Sequence, residues 1–340
     1  MANFPLSVLD LAPVGEGSTP ADALAASLRL AREVERFGYH RYWVAEHHSM
    51  PGIASSSPAV LLARVAAETS TIRLGSGGVM LPNHSPLAIA EQFGMLEAFE
   101  PGRIDLGIGR APGTNPATAY ALRRGAQGSD GDDLPQQLAE LTAYFTGGFP
   151  ERHPYASIHA TPARGYLPRI WLLGSSDYSA HLAGQLGLPF SFAHHFAAGN
   201  TDAAIQVYRS AFQPSESLEA PYVMLGVNVA CAPDLDEARR LALPGHLAFL
   251  RLRQGKPGLY PSPEEAEAYH FTPFEREAIK GWTASHVIGD PDTVRAGLED
   301  LVARTGADEL MVSTMLHAPQ DRIRSYELVA DALALDPVAA

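Results

Sequence analysis

Read for its apolar and polar positions, the chain divides into short hydrophobic runs separated by longer stretches with helical spacing. Residues 5–11 (PLSVLDL) form the first run, after which Leu24, Leu28, Ala31 and Val34 recur at the interval of one helix face. The helix this predicts opens with Thr19 as N-cap, Pro20 at the first helical position and Asp22 in the first turn, and stops at Gly38. The second run, RYWVAEHH at 41–48, follows at once. Further apolar runs lie at 72–81, 103–109, 169–174, 189–193, 222–230 and 309–315, which makes eight strand candidates. Ser57-Pro58, Ser85-Pro86 and Asp290-Pro291 each combine a capping side chain with a preset φ, so they mark further helix starts.

Eight short strands without clean two-residue alternation, separated by helices, predict a parallel sheet whose outer face is covered by crossover connections. Closing that sheet gives an α/β fold, a (β/α)8 TIM barrel with insertions after strands 4 and 7, as a single unit over residues 1–340. Such a barrel takes about 250 residues. The surplus falls in three irregular stretches, 111–134, 148–168 and 251–289, of which the last, rich in Pro, Gly and charge, is the candidate lid. An open doubly wound sheet satisfies the same pattern, although no Gly-x-Gly-x-x-Gly follows the first strand as its dinucleotide-binding version requires.

Composition narrows the partners. With 46% hydrophobic, 8% aromatic and 19% charged residues the chain has the means for a large core. A formal net charge of −13 repels phosphate polymers and anionic lipid, so neither nucleic acid nor a membrane is expected as partner. The first residues, MANFPLSVLDLAP, show no basic segment ahead of an apolar run, and no stretch reaches the about 18 apolar residues of a membrane span, which points to the cytoplasm. Cys231 is the sole cysteine, so there is no disulfide framework and no clustered thiolate metal site.

In a barrel of this kind, chemistry gathers just past the carboxyl ends of the strands. Glu46-His47-His48 follows the second strand, where an imidazole would titrate near neutral pH. Adjacent side chains on an extended segment point in opposite directions, so the two histidines do not share one ion and no metal is expected; a hydrogen-bonded structural histidine is the alternative. In the run Gly75 to Pro86, three glycines sit inside a strand, marking either close approach of a flat ligand or a packing kink. Arg110 ends LGIGR, and Gly174, Ser175, Ser176 and Ser179 lie at a strand-to-helix turn. Free N–H groups, hydroxyls and a guanidinium make an anion cradle there, unless the serines serve only as N-caps.

At these segments the chain resembles the bacterial-luciferase-like flavin-dependent monooxygenases. The matching motifs, in order, are the Glu-His-His after strand two, Gly-Ser-Gly-Gly with Leu-Pro and Pro following, Pro-Gly-Arg-Ile with Gly-Ile-Gly-Arg, and Ser-Ser with Gly-Leu-Pro over 175–189. Recognisable motifs cover residues 1–200, and periodicity alone carries the rest. The resemblance implies a reduced FMN whose ring lies against a non-prolyl cis peptide, here Gly77-Gly78. It also implies His47 as the catalytic histidine, Arg110 as a phosphate-binding arginine, and Ser176 and Ser179 as phosphate-binding hydroxyls. Gly109 stands where the light-emitting subunit has a reactive cysteine, which does not favour light emission.

The activity so implied is that of a monooxygenase in which reduced FMN, supplied by a separate NAD(P)H:flavin reductase, reacts with O2 to a C4a-peroxyflavin that oxidises a small organic substrate, with His47 managing protons. Two alternatives remain open. One is a dehydrogenase or reductase using a deazaflavin coenzyme, whose anionic tail would call on Arg123, Arg124 and Arg164; the other is a non-catalytic flavin-binding protein. The family commonly pairs barrels, so a homodimer is expected, with the alanine-rich helix predicted over 58–69 supporting close packing.

Overall fold

The computed structural model describes residues 4–111, 113–123 and 133–338. Eight parallel strands close on themselves: β1 (Leu6–Asp10), β2 (Arg41–Val44), β3 (Arg73–Ser76), β4 (Ile104–Gly109), β5 (Arg169–Gly174), β6 (Phe190–Phe192), β7 (Val223–Cys231) and β8 (Glu309–Ser313). β8 pairs with β7 on one side and β1 on the other, which completes a (β/α)8 barrel and removes the open sheet from consideration. The helices that return the chain are α1 (Pro20–Arg36), α2 (Pro58–Ala66), α3 (Pro86–Phe99), α4 (Leu134–Thr146), α5 (Asp177–Gln185), α6 (Thr201–Ala211), α7 (Pro291–Thr305) and α8 (Pro319–Ala332). Among the described residues no helix is long and apolar enough to cross a membrane.

Local chemistry accounts for these boundaries with two corrections. Thr19 and Asp22 form a reciprocal capping box, and Asp290 accepts from the Thr293 N–H. Ser57 and Ser85, expected to cap, make no side-chain cap bond, so Pro58 and Pro86 set those starts through their fixed φ alone. α2 also ends at Ala66, short of the expected 69.

The strands do alternate, but not between apolar and polar. Leu6, Val8, Tyr42, Val44, Leu74, Ile104, Leu106 and Ile108 join the core beneath the helices. The residues between them face the barrel axis, and at the amino-terminal ends these are charged. Arg41 bonds Asp105 through Nη1 at 2.8 Å and Glu309 through Nε at 2.9 Å, all three side chains at most 2% exposed. Arg73 adds a 2.7 Å pair to Asp105, and Tyr222 and Ser7 both donate to Glu309. Above this charged floor Trp43, Trp171, Met224 and Met311 pack together, the two indoles edge-to-face at 5.3 Å. The barrel is thus plugged from below and hollow only at the carboxyl end.

The surplus is distributed as expected after β4 and β7, but its character differs. Residues 148–168 hold no helix or strand and include a cis Thr161–Pro162 bond. The expected insertion 111–134 holds a helix, Pro116–Arg123, while residues 112 and 124–132, including Arg124, lie outside the described residues. The stretch 251–289 is not irregular. It carries helices Pro263–Ala268 and Pro273–Thr283 and a short strand, Val287–Gly289, paired with β7, and the insertion begins earlier with a helix at Leu235–Arg253. Its Pro and polar residues are helix starts rather than loop: Ser262 accepts from Glu265 N–H, and Thr272 with Glu275 forms a second capping box.

Removing the central cation of the floor takes the cationic partner from buried Glu309 and leaves Asp105 with Arg73 alone. Arg41→Met is expected to lower unfolding stability by about 3–5 kcal/mol in urea denaturation; a loss below about 1 kcal/mol would show the floor to be dispensable.

Candidate active site

The hollow end is a cavity of about 1040 Å³ walled by strand ends and the β7–β8 insertion. Of the residues singled out from the sequence, His47, Gly77, Gly78, Arg110, Gly174, Ser175, Ser176 and Ser179 line it. The two-residue period along β2 and its continuation explains why His47 arrives there: Arg41, Trp43, Ala45 and His47 share the inward face. His47 is largely buried, and its Nδ1 has no hydrogen-bond partner. Burial pushes its pKa below the ordinary imidazole value, against the opposing charge of Glu46, so the ring is neutral near pH 7.

The other face of the same segment carries Glu46 and His48 away from the cavity. Glu46 Oε1 lies 2.8 Å from Nε2 of both His48 and His84, and Oε2 accepts from the Met80 N–H at 3.1 Å. These three side chains each bring a ligand-type atom within 4.8 Å of the others. The expectation that His47 and His48 would not share one ion concerned neighbours in sequence; the cluster that forms instead joins His48 to His84, which meets Glu46 from 38 residues along the chain. The separations are those of hydrogen bonds. Burial raises the Glu46 pKa, but the bonds from His84, His48 and Met80 outweigh it and hold the carboxyl below its usual range.

The glycine run forms a bulge. Gly75 pairs with Asp105, but Val79 pairs with Ile108, so β3 and its continuation Val79–Met80 hold one residue more than β4 across this interval. The Gly77-Gly78 peptide at its centre is cis. Ser76 repairs the interrupted ladder, its Oγ accepting from Gly107 N–H at 3.0 Å and donating to the Gly107 carbonyl at 2.9 Å. A Cβ on Gly78 would stand 2.8 Å from the Gly107 carbonyl oxygen, and one on Gly75 would meet the Trp43 indole at 2.4 Å, so the glycines are required for space.

Across the cavity, Gly174 to Ser179 turn from β5 into α5. Ser176 occupies the N-cap position yet makes no cap bond, which leaves its hydroxyl for another partner. Arg110 is brought to this turn by Tyr178, over whose ring its guanidinium stacks at 4.4 Å. Tyr178 was not legible as a site residue. Of the loosely considered cations, Arg123 lines the cavity and donates to Asn83 at 3.2 Å, whereas Arg164 lies against Gly147, away from it. Sequence reasoning also missed the far wall, where His195, Asn228, His246, Phe249, Trp282 and His286 line the same cavity. His194-His195 after the sixth strand was a signal of the same kind as His47-His48; Asn228 lies within β7, and the others sit in or beside the insertion, whose elements the sequence did not resolve.

Because the folded-state pKa of Glu46 is depressed, its contribution to stability is full above the unfolded carboxyl value of about 4.3 and is lost as pH falls through the folded value. Native protein is therefore expected to exceed Glu46→Gln in stability at pH 7, with the gap narrowing below pH 4 in paired urea titrations. A gap that stays constant over that range would remove the carboxylate's charge from the account.

The arrangement has close relatives. YvbT of Bacillus subtilis (strain 168) is 48% identical over 326 residues, 96% of each chain, and a luciferase-like monooxygenase of Escherichia coli (strain K12) is 47% identical over 325 residues, again 96% of each. The crystal structure of apo-MsnO8 superposes with a TM-score of 0.90 at 41% identity, covering 99% of this chain and all of the other. The family model for luciferase-like monooxygenases matches residues 4–309, and the chain belongs to that family.

Proposed function

We propose that this enzyme is an FMN-dependent monooxygenase that uses reduced FMN and O2 to oxidise a small organic substrate at the open end of the barrel. The observation that carries the reading is the meeting, in one cavity, of a bulged glycine wall, an arginine-flanked helix start whose Ser176 hydroxyl makes no cap bond, and a half-buried neutral imidazole whose buried Nδ1 is unpaired. These features fit a flavin mononucleotide: Arg110 with Gly174, Ser175, Ser176 and Ser179 would hold its phosphate, and Gly77-Gly78 would lie against its ring. Reduced FMN, when bound, supplies the electrons that activate O2. The protein's part is to exclude water with Leu9, Met80, Leu173 and Met311, and to hold or move a proton at His47 Nδ1. A separate NAD(P)H:flavin reductase would deliver the reduced cofactor.

Barrels of the same fold use either cofactor class. The oxygenating constituent of 3,6-diketocamphane monooxygenase, in complex with FMN, superposes with a TM-score of 0.73 at 20% identity, and an F420-dependent secondary alcohol dehydrogenase with 0.67 at 15%. What favours FMN here is the distribution of positive charge: among the described residues the cavity cations are Arg110, Arg123 and Arg251, and Arg251 is held at 2.5 Å by Glu265. Among the described residues a longer anionic tail finds few further partners.

Side-by-side titration of the flavin-free protein with FMN, reduced FMN and reduced deazaflavin is expected to show preference for reduced FMN, with O2 consumed. Preference for the deazaflavin would make the enzyme a hydride-transfer catalyst, and binding of none would overturn the reading. His47→Ala should cut turnover by about 10² to 10⁴-fold while leaving flavin affinity unchanged. If neutral His47 is the working form, the acid limb of the native pH–rate profile should fall below the ordinary imidazole value of about 6.5.

The same reading includes a homodimer. α2 and α3 pack together and leave Val60, Met95 and Phe99 exposed at 72%, 48% and 68%. Sedimentation should show a species of twice the 36.4 kDa chain mass; monomer alone at all concentrations would discard the dimer.

A further inference from the structure

The cavity has two ends, and the cofactor reading uses one. At the other, Phe249 and Trp282 stack face to face at 4.3 Å and 4°, and the His286 ring stands edge-on to Trp282 at 4.4 Å. Asn228 Nδ2 lies 3.0 Å from His286 Nε2. The amide nitrogen can only donate, so this bond needs an unprotonated Nε2, and burial agrees by pushing the His286 pKa down to about 4. His195 is likewise pushed down to about 4 by burial, and His246 is lowered for the same reason. Two ring nitrogens here are buried without a partner in hydrogen-bond geometry, His246 Nε2 and His195 Nδ1, the latter packed against the Gly226 backbone.

Charge is missing from this end. Among the described residues no aspartate or glutamate lines the cavity, so a cationic ligand finds no counter-charge. Of the three arginines that line it, Arg110 is stacked on Tyr178 at the cofactor end, Arg123 bonds Asn83 beside the glycine bulge, and Arg251 is neutralised by Glu265. An anionic ligand would therefore leave water for a wall of neutral imidazoles and aromatic carbon. Two unpaired nitrogens that can each donate or accept suit a hydroxyl or carbonyl group beside an apolar body.

We propose that the end walled by His195, Asn228, His246, Phe249, Trp282 and His286 is the substrate subsite, and that it selects an uncharged organic molecule: an apolar or aromatic body against the Trp282–Phe249 pair, with a carbonyl or hydroxyl group bonded by His195 and His246. Asn228 and His286 are positioning residues that fix each other. The proposal rests on the flavin reading for the place where oxidation occurs, but not for binding.

Binding to the flavin-free full-length protein at neutral pH tests it, followed by calorimetry and by Trp282 fluorescence. The probes are 4-phenylbutan-2-one, 4-phenylbutanoate and 4-phenylbutylamine, which share a body and differ in charge. The ketone is expected to bind about tenfold or more tightly than either ion. His246→Leu, which keeps the apolar volume, should weaken the ketone about fivefold or more and leave FMN titration unchanged. Equal or tighter binding of either charged probe, no binding of the ketone, or ketone affinity unmoved by His246→Leu would each overturn the subsite. FMN failing to bind while the ketone series holds would instead overturn the cofactor reading alone. Should His246→Leu not fold, the ranking of the three probes on the native protein still decides the matter.

Discussion

Arg41 lies at the bottom of the barrel, and its two carboxylate partners come from strands two places away on either side, Asp105 on β4 and Glu309 on β8. One guanidinium therefore joins three strands, β8, β2 and β4, across an arc of five around the closed sheet. A fork of planar donors suits this position because each carboxylate can be met at its own angle. The charges cannot reach solvent, so each group depends on the others for the hydration it has given up. With the bottom sealed in this way and the indole and thioether layer above it, the barrel can leave its carboxyl end hollow without opening a channel through the core.

The same inward-facing positions explain what the sequence revealed and what it hid. Helix starts were legible because Pro beside Thr or Asp is a local signal, true at Thr19 and Asp290; it overreached at Ser57 and Ser85, where proline alone suffices. The strands were legible as hydrophobic runs, but their alternation was not. Their inward positions hold Arg, Asp, Trp and Gly rather than one recognisable polar class, and a barrel interior filled by such residues defeats a two-letter reading of polarity.

Site residues divide along the same line. His47 and Gly77-Gly78 could be found because they sit next to strands in a continuous stretch of sequence. Glu46, His48 and His84 form a hydrogen-bonded unit whose third member comes from beyond the bulge, and no local pattern announces that meeting. The far wall was hidden for a different reason. Trp282 sits on a helix whose Thr272-Pro273 start read as loop, His246 on an earlier helix of the insertion and His286 between a helix and a short strand, while His195 follows the sixth barrel strand, so side chains that share one cavity appeared as scattered residues. The two ends of the cavity thus differ in origin: barrel strands and their first turns build one, and the insertion contributes much of the other.

The extra residue in the third strand also sets which side chains the following segment shows to each layer. Were the strand regular at its present length, two-residue alternation from Gly75 and Gly77 would bring Val79 inward; because the bulge absorbs one residue, Val79 packs in the core and Met80 lines the cavity while its N–H reaches Glu46. Chain length at this point is therefore as informative as residue identity. Deleting one glycine would remove the extra residue, and with it the Gly77-Gly78 peptide, while leaving Val79 opposite Ile108 and Met80 opposite Gly109 as they are now, so the wall would change shape and the segment after it would keep its facing.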